Sequence, residues 1–552
     1  MKRKGLLALL LVTLMSCDIR IVVDHTRPSE ATPSLPSSPT SETIPSLTPT
    51  PSEEEPSSLP TISTPTISGE ISESPSLPIP SETPSVPSPS VEEGIPEGEQ
   101  RQIDIYCLND FHGATDYRLN KINTSIYQLG ISRLAQFLED KKAENPDGTF
   151  VVSAGDMWQG GYVSSASHGD FLTQAMNQME FDCMALGNHE FDWGEESIAA
   201  NLQTANFPFL GANIYYANGN RPQWVENQTT ITKNDVKVAF IGTIGDTQES
   251  SILSSISANF DFRDEESAMR EQANLAKEQG ADLVISLSHN DWRDYAKDSA
   301  QNAILQESVV DGIFSGHSHS LQNTSVNGIP VLQAYSSGTS VAHMRFTVKN
   351  EGGMISKEVS KYEVCNYLAD TYKNKPNAMM EQFYENYIQE NGYEAGMKEV
   401  LTTISKDWST AEVGRISAEA MRTYFASHAL NGVNYDAVLG VQNTAGVRAF
   451  IEKGEVTYAD IYEAFPFDNV VVLISATASR MEQYYTTVSS TSASYYYYSS
   501  SQTSFPSSGE PYYMATMDYV EGTRYFPHND SDVIRSTVLQ RDVIKEYLKN
   551  IG

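Results

Sequence analysis

Short apolar runs that end in Gly, Asn, Asp or His recur between residues 103 and 319. Runs of this kind are typical of buried β-strands that stop at a turn. They are Ile103–Leu108, Thr149–Ala154, Phe181–Leu186, Val236–Thr243, Asp282–Ser288 and Gly312–Ser315. Segments with helical spacing of apolar residues lie between them, for example 131–138 and 265–279. The alternation predicts a layered α/β domain.

Polar side chains that can bind cations or move protons come directly after five of these strands. They are Asp110, His112, Asp156, Asn188, His189, His289, His317 and His319. Taken alone, a His near a strand end is more often a packed or hydrogen-bonded residue than a ligand. Open α/β folds, however, place their ligands at the carboxyl ends of the strands. We therefore expect these side chains to meet in one site.

The donor types indicate divalent cations. Carboxylate, imidazole and amide groups without a thiolate suit Mn²⁺, Zn²⁺ or Fe²⁺ and, less usually, Ca²⁺ or Mg²⁺. Without His189, seven side chains remain, which is too many for one tetrahedral ion. Two ions that share a bridging carboxylate are the natural number. The ligand types do not distinguish among these metals.

The order of these groups resembles the signature of the calcineurin-like metallophosphoesterases, which is Asp-x-His, Gly-Asp, Gly-Asn-His-Glu, His and Gly-His-x-His. Residues 102–552 are similar to the bacterial secreted 5′-nucleotidases and UDP-sugar hydrolases. The resemblance implies an α/β fold: a four-layer β-sandwich flanked by helices, followed by a C-terminal α+β substrate-binding domain.

The resemblance also implies a role for each polar residue of the site. One ion would be held by Asp110, His112, Asp156 and His319. The other would be held by Asp156, Asn188, His289 and His317. His189 would contact the phosphate or the leaving group, with Asp192 hydrogen-bonded to its other ring nitrogen. The alternative for Asp192 is a purely structural role as a helix cap.

Substrate recognition is assigned by the resemblance to the C-terminal domain. Arg448, Phe467 and Asn469 match family positions that contact the substrate. Phe467 matches one of the two rings that enclose a base, and Tyr519 lies near the position of the other ring. Two family blocks differ here. The Arg pair that precedes the helix beginning Val413–Gly414–Arg415 is absent, and residues 521–525 replace a Gly-Gly-Asp-Gly-Tyr block. Arg415 or Arg524, besides Arg448, would have to substitute.

Composition divides the chain into five predicted segments. They are a signal peptide with a lipobox at 1–17, a disordered Pro/Ser/Thr-rich stalk at 18–101, the phosphoesterase domain at 102–362, a helical linker at 363–397 and the C-terminal domain at 398–552. No strand is expected between Tyr362 and about Ala437. Cys17 would carry the lipid anchor of a bacterial surface protein. An ordinary cleaved signal peptide is the alternative.

Two further patterns bear on partners. Asp and Glu number 71 against 37 Lys and Arg, a net charge of −34, which argues against binding to a nucleic-acid polymer. The Tyr/Ser-rich stretch 484–513 is expected to be a mobile surface loop, with an aromatic stacking platform as the alternative.

Cys107 and Cys183 are predicted to be buried thiols, and a disulfide of Cys365 stays open. No oligomeric state is predicted.

Together these patterns predict an extracytoplasmic, lipid-anchored, metal-dependent phosphoester hydrolase. A 5′-nucleotidase is the first hypothesis, and hydrolysis of UDP-sugars or 2′,3′-cyclic nucleotides at the same site is the alternative. Sulfur-ester hydrolysis is a further one. A surface-displayed adhesin or binding protein that keeps the fold without turnover is the hypothesis from another class.

Overall fold

The computed structural model describes residues 94–120, 126–366, 368–490, 495–523 and 525–551. The predicted signal peptide, Cys17, most of the predicted stalk and Arg524 lie outside these ranges. Within them, no helix has both the length and the apolar character that a membrane crossing requires.

Two six-stranded sheets form the centre of the N-terminal domain. The first sheet has the strand order Met354–Cys365, Val341–Glu351, Gln100–Leu108, Thr149–Ser153, Cys183–Ala185, Phe209–Leu210. The second sheet has the strand order Gln322–Val326, Ile329–Gln333, Gly312–Ser315, Leu283–His289, Val236–Ile244, Gln228–Lys233. The inner strands of both sheets are parallel. Strands buried on both faces need continuous apolar sequence, and this explains the runs seen in the chain.

The two sheets pack face to face, and helices cover their outer faces. Phe150 of the first sheet and Phe240 of the second meet between them, with ring centroids 5.3 Å apart. Helices Ile131–Glu144 and Asp170–Gln178 pack outside the first sheet. Helices Glu265–Glu278 and Ser299–Gln306 belong to the apolar core outside the second. The four-layer sandwich flanked by helices is therefore confirmed.

Shorter elements complete this domain. The helices are Tyr162–Ala166, Glu195–Thr204 and Ser254–Ser257, and the 3₁₀ turns are Asn188–Phe191 and Asp246–Ser251. Two small sheets pair Ile214–Tyr216 with Phe260–Phe262 and Arg118–Leu119 with Tyr127–Gln128.

The segment predicted as a linker is helical and packs on the N-terminal core. Its helices are Leu368–Tyr372, Ala378–Asn391 and Glu394–Lys398. Three of its rings surround Phe171, those of Phe383, Tyr384 and Tyr387, at centroid distances of 5.7, 5.2 and 5.1 Å.

The C-terminal domain is a five-stranded sheet with helices and a core of its own. The sheet has the strand order Tyr496–Ser500, Ala437–Asn443, Tyr512–Met517, Val470–Ala476, Val533–Leu539. The helices are Thr410–Ser427, Tyr458–Ala464, Ala478–Ser489, Asp518–Glu521 and Gln540–Ile551, and the 3₁₀ turns are Thr444–Gly446 and Asp530–Asp532. A further pair, Val400–Ile404 with Gly454–Thr457, begins the domain.

Two expectations about local structure were wrong. No strand was expected between Tyr362 and Ala437, yet the first sheet extends to Cys365 and Val400–Ile404 is a strand. Residues Tyr496–Ser500, expected to be part of a mobile loop, form an edge strand paired with Ala437–Asn443. Tyr496 packs on Phe526 at 5.2 Å, and Tyr497 and Tyr498 are half-buried against the same core, so packing of the tyrosines stabilises this strand although its composition is biased.

The three cysteines in the described part of the chain are free thiols. Cys107 and Cys183 are buried in the first sheet, as expected. Cys365, for which the sequence left a disulfide open, is partly buried at the end of its strand and forms none.

Candidate metal centre and active site

The backbone at the strand ends adopts an uncommon conformation at five of the predicted ligands. Positive φ angles between 50° and 70° occur at Asp110, His112, Asp156, His317 and His319. Residues other than glycine rarely adopt this region, and each such residue costs about 1–3 kcal/mol. Strain of this kind persists where the surrounding structure requires a particular side-chain direction.

The first cluster of donors joins Asp110, His112 and His319. One ligand atom from each lies within 4.8 Å of the others. The two Nε2 atoms of His112 and His319 are 2.9 Å apart. The Nδ1 atom of His112 contacts the backbone carbonyl of Gln159 at 2.9 Å, so its Nε2 atom is directed to the cluster.

The second cluster joins Asp156, His289 and His317, again with ligand atoms within 4.8 Å of one another. Asn188 belongs to it as well, because its Oδ1 atom lies 3.2 Å from His289 Nε2 and 3.0 Å from His317 Nδ1. The Nδ1 atom of His289 lies 2.8 Å from the carbonyl oxygen of Ala154, which directs Nε2 inward.

Asp156 lies between the clusters. Its Oδ2 atom is 3.1 Å from His289 Nε2 in one cluster and 4.0 Å from His112 Nε2 in the other. This is the position that a bridging carboxylate would occupy. All seven predicted ligands are therefore brought together, in the two groups that the resemblance implied.

Cation binding requires neutral imidazoles and ionised carboxylates, and His112, His317 and Asp156 meet this requirement. His289 does not: burial lowers its pKa, but the charge of Asp156 outweighs this and raises the pKa to about 10, so a cation must displace a proton from this ring. Burial and the neighbouring His319 hold the pKa of His112 well below its ordinary value, and burial with His289 lowers the pKa of His317 to about 4. Burial disfavours ionisation of Asp156, but His289 outweighs it and lowers its pKa. The donor set fits divalent ions.

Glu190 organises the backbone around these ligands. Its Oε2 atom accepts from the amides of Gly187 at 2.7 Å and Asp156 at 2.9 Å, and its Oε1 atom from Met157 at 2.8 Å. The side chain is fully buried, and burial together with Asp156 raises its pKa to about 7. The sequence interpretation assigned no role to Glu190. The available signal was a carboxylate inside a turn that follows a buried strand.

The close approach of the two loops requires glycine at position 187. A Cβ atom at Gly187 would lie 2.2 Å from Asp156 Oδ1 and 2.8 Å from His289 Cε1. Any side chain there would displace the central carboxylate.

His189 and Asp192 form the predicted pair. The Nδ1 atom of His189 lies 2.9 Å from Asp192 Oδ2. Burial disfavours the charged ring, but Asp192 and Asp156 outweigh this and raise the pKa of His189. The cap of the next helix is Gly194, so Asp192 does not cap a helix N-terminus.

A cavity of about 360 Å³ opens onto the second cluster. The N-terminal domain contributes Asp156, Asn188, His189 and Asp192 to the lining of this cavity. The C-terminal domain contributes the predicted substrate-binding residues Arg448, Phe467, Asn469 and Tyr519. The ring of Phe467 lies 5.6 Å from that of His189. Burial lowers the pKa of Arg448, and nearby carboxylates oppose this effect.

The residues that line the cavity differ from the predicted substrate-binding residues at one position and include further ones. Arg415 does not line it, because it lies at an exposed position of helix Thr410–Ser427. Arg524 lies outside the described residues. Lining residues that the sequence interpretation did not identify are Ser251, Leu253, Ser318, Asn443, Ala445, Gly446 and Asp468. Ser251 and Leu253 lie at a turn with no chemical motif, so their sequence carried no signal.

Two protein-family models match the chain. Residues 103–321 match the calcineurin-like phosphoesterase model, and residues 395–521 match the 5′-nucleotidase C-terminal domain model.

Two curated relatives are each similar to about two thirds of the chain. The endonuclease YhcR of Bacillus subtilis is 26% identical over 402 residues, which cover 68% of this chain and 32% of that protein. The chain thus spans about a third of the length of this relative. A 5′-nucleotidase of Vibrio vulnificus is 26% identical over 421 residues, covering 69% of this chain and 74% of that protein.

The fold is also found in solved structures. The 5′-nucleotidase precursor from Thermus thermophilus aligns with a TM-score of 0.62 at 18% identity, covering 82% of this chain and 97% of that one. From these matches, the chain belongs to the calcineurin-like phosphoesterases that carry a 5′-nucleotidase C-terminal domain.

Proposed function

We propose that this protein is a 5′-nucleotidase that removes phosphate from nucleotides with the help of two divalent ions. The observation that carries the proposal is the composition of one cavity. Asp156, Asn188 and His317 of the second cluster line it together with Arg448 and two aromatic rings. The groups suited to binding a phosphate therefore line the same cavity as two rings suited to stacking on a planar base.

The two clusters would hold the ions, with Asp156 between them. Ions bound there would acidify a water molecule and neutralise charge on the phosphoryl oxygens. The identity of the metal follows from no feature of the donor set. Mn²⁺, Zn²⁺, Fe²⁺ and Ca²⁺ are the candidates.

His189 would act on the side of the leaving group. Its Nδ1 atom is held by Asp192, so its Nε2 atom is available to the cavity. The raised pKa of this ring favours its protonated form, and a protonated imidazole can hydrogen-bond a phosphoryl oxygen or donate a proton to the departing oxygen.

Arg448 would bind the charged part of the substrate. It is the one arginine or lysine among the described residues that line the cavity, and the carboxylates that act on it are Asp156, Asp192 and Asp110. Phe467 and Tyr519 would contact the base through their faces. Stacking of this kind tolerates several bases, because every base presents a π-face.

The location is a separate proposal, which rests on the sequence alone. Cys17 in its lipobox would anchor the protein to the outside of a bacterial membrane, and the Pro/Ser/Thr-rich residues after it would form the stalk. The stalk would end earlier than the predicted residue 101, because Ile95 is buried in the core and a strand begins at Gln100. Substitution Cys17→Ser should move the protein from the membrane fraction to the soluble fraction. Membrane association that is unchanged in this variant would exclude the anchor.

A substrate panel tests the activity. The full chain is incubated with AMP, UDP-glucose, a 2′,3′-cyclic nucleotide or 4-nitrophenyl phosphate, with and without EDTA. The products followed are phosphate from AMP, UMP and glucose 1-phosphate from UDP-glucose, the nucleoside monophosphate from the cyclic nucleotide, and 4-nitrophenol from the aryl phosphate. We expect metal-dependent turnover with AMP preferred. A preference for UDP-glucose or the cyclic nucleotide would favour the alternative substrates. A preference for the aryl phosphate would exclude the nucleotidase proposal, and no turnover at all would favour a binding protein.

A further inference from the structure

A contact between the two domains lies beside the cavity, at residues that the proposed reaction does not use. The imidazole of His168 stacks on the indole of Trp193, with centroids 5.1 Å apart and planes 13° from parallel. On its other side, His168 Nε2 lies 3.4 Å from Asp468 Oδ2 of the C-terminal domain. Trp193 directly follows Asp192, so the contact joins the His189 turn to the C-terminal domain.

The backbone of His168 is fixed in a strained conformation. Its φ angle is 49°, in the left-handed region, and its carbonyl oxygen accepts from the side chain of Asn201 at 2.8 Å. Asn201 is itself buried. Left-handed residues other than glycine are uncommon, and a rigid frame is needed to retain one. The backbone of His168 is therefore rigid, and its side chain contacts Asp468 from this fixed position.

Asp468 belongs to the segment that carries Phe467, and Arg541 binds this segment (residues 465–469) at three points. The guanidinium of Arg541, 2% exposed, pairs with Asp468 and donates to the carbonyl of Phe467 at 2.6 Å and that of Phe465 at 3.2 Å. A buried cation with these acceptors holds the segment as one body. A contact at Asp468 therefore fixes the position of Phe467 as well.

The charge state of Asp468 is consistent with such a contact. Burial disfavours its ionisation, but the hydrogen bond from His168 and the charge of Arg541 outweigh this and lower its pKa. Asp468 is one third exposed and lines the cavity, whereas His168 lies behind it and is not among the lining residues.

We propose that His168 is a positioning residue, which holds the 465–469 segment against Trp193 through Asp468 and thereby places Phe467 beside His189. The proposal rests on the proposed function in one respect, that the substrate contacts Phe467. The consequence is specific. Loss of His168 should weaken the binding of substrates that carry a base and leave the chemistry on phosphorus intact.

The variant His168→Asn tests this with little backbone strain, because asparagine tolerates the left-handed region. A matched control exists at His428, which stacks on Tyr424 at 4.1 Å and pairs with Glu546 at 3.1 Å away from the cavity. The kinetic constants kcat and KM are measured with AMP and with 4-nitrophenyl phosphate for H168N, D468N, the double variant and H428N.

We expect H168N to raise KM for AMP about threefold to tenfold, the range for a partly exposed ion pair with a ring contact. Its kcat for AMP and both constants for the aryl phosphate should stay within twofold, and H428N should match the wild type. The double variant should be no worse than the more affected single variant. Effects that multiply, equal effects on both substrates, or no effect of H168N would overturn the proposal.

A second measurement needs no substrate. Amide hydrogen exchange in residues 461–472 of the full chain should be faster in H168N than in the wild type and H428N. Equal exchange in all three would also overturn the proposal. If the wild type hydrolyses no nucleotide, the proposed function fails, and the exchange experiment still decides the role of His168.

Discussion

His189 and Asp192 lie three residues apart and share a hydrogen bond of 2.9 Å between Nδ1 and Oδ2. The backbone amide of His189 also donates to Asp156 Oδ1 at 2.8 Å, which ties this ring to the carboxylate between the two metal clusters. The His189–Asp192 pair is thus fixed next to the two metal clusters.

This pairing predicts that His189→Ala lowers kcat by about 10²–10⁴, the usual contribution of a positioned proton donor. Asp192→Asn should lower kcat by a smaller factor, because the ring remains but loses its charged partner. Both variants should retain bound metal, since neither residue belongs to a cluster. Steady-state kinetics and elemental analysis measure these effects. An unchanged kcat in H189A would remove His189 from the reaction.

A second prediction concerns Glu190, which accepts from the amides of Gly187, Asp156 and Met157. In Glu190→Gln one oxygen becomes an NH₂ donor that faces N–H donors. We expect the free energy of unfolding to fall by about 2–4 kcal/mol, the loss associated with buried groups left unpaired. Urea denaturation measures it, and Glu196→Gln, at an exposed position, is the control. Equal stability of the two variants would contradict this role.

These two cases show what sequence reasoning could and could not recover. The ligands were predictable because each follows an apolar strand directly, so topology alone gathers them. Glu190 acts on backbone amides some 30 residues away in the chain, and no pattern of side chains displays such a contact. His168 and Asp468 meet across 300 residues, a pairing that depends on how the domains pack.

The prediction of local structure failed where the sequence carries no periodic pattern. In Tyr496–Ser500 the tyrosines and serines give no contrast between apolar and polar positions, and burial does not alternate either, because Tyr496 is buried and the other four residues are half-buried. Val400–Ile404 is short and pairs only with Gly454–Thr457 among the described strands, so its stability comes from its partner and not from its own pattern.

Stacking on Phe467 gives a third prediction. Phe467→Ala should raise KM for AMP more than KM for 4-nitrophenyl phosphate, because a base–aromatic stack contributes about 1–3 kcal/mol. That range corresponds to a factor of roughly 5 to 150 in KM. Tyr495→Ala removes an exposed ring elsewhere on the same domain and is the control. Equal changes for both substrates would show that Phe467 contacts no base.

A fourth prediction concerns pH and a buried cluster outside the cavity. Burial disfavours ionisation of Asp104, but hydrogen bonds from His343 at 2.6 Å and Arg345 at 2.7 Å lower its pKa to about 2. Because the pKa of Asp104 is lower in the folded state than in the unfolded chain, its ionised carboxylate stabilises the fold. This contribution is complete at pH values above the ordinary pKa of 3.8 and is lost as the pH falls through about 2.

The variant Asp104→Asn should therefore be about 2 kcal/mol less stable than the wild type at pH 5–7. The difference should begin to shrink below about pH 4. Urea denaturation at several pH values measures it. A difference that stays constant down to pH 3, or grows there, would contradict the assignment of this stability to the ionised carboxylate.

The most direct test of the account is the number of metal equivalents that AMP hydrolysis requires. Protein stripped with a chelator is titrated with Mn²⁺ or Zn²⁺ while phosphate release and bound metal are followed together. The two clusters, Asp110 with His112 and His319, and Asp156 with His289 and His317, predict no activity in the stripped protein and full activity at two equivalents. Full activity at one equivalent, or activity that survives complete removal of metal, would contradict it.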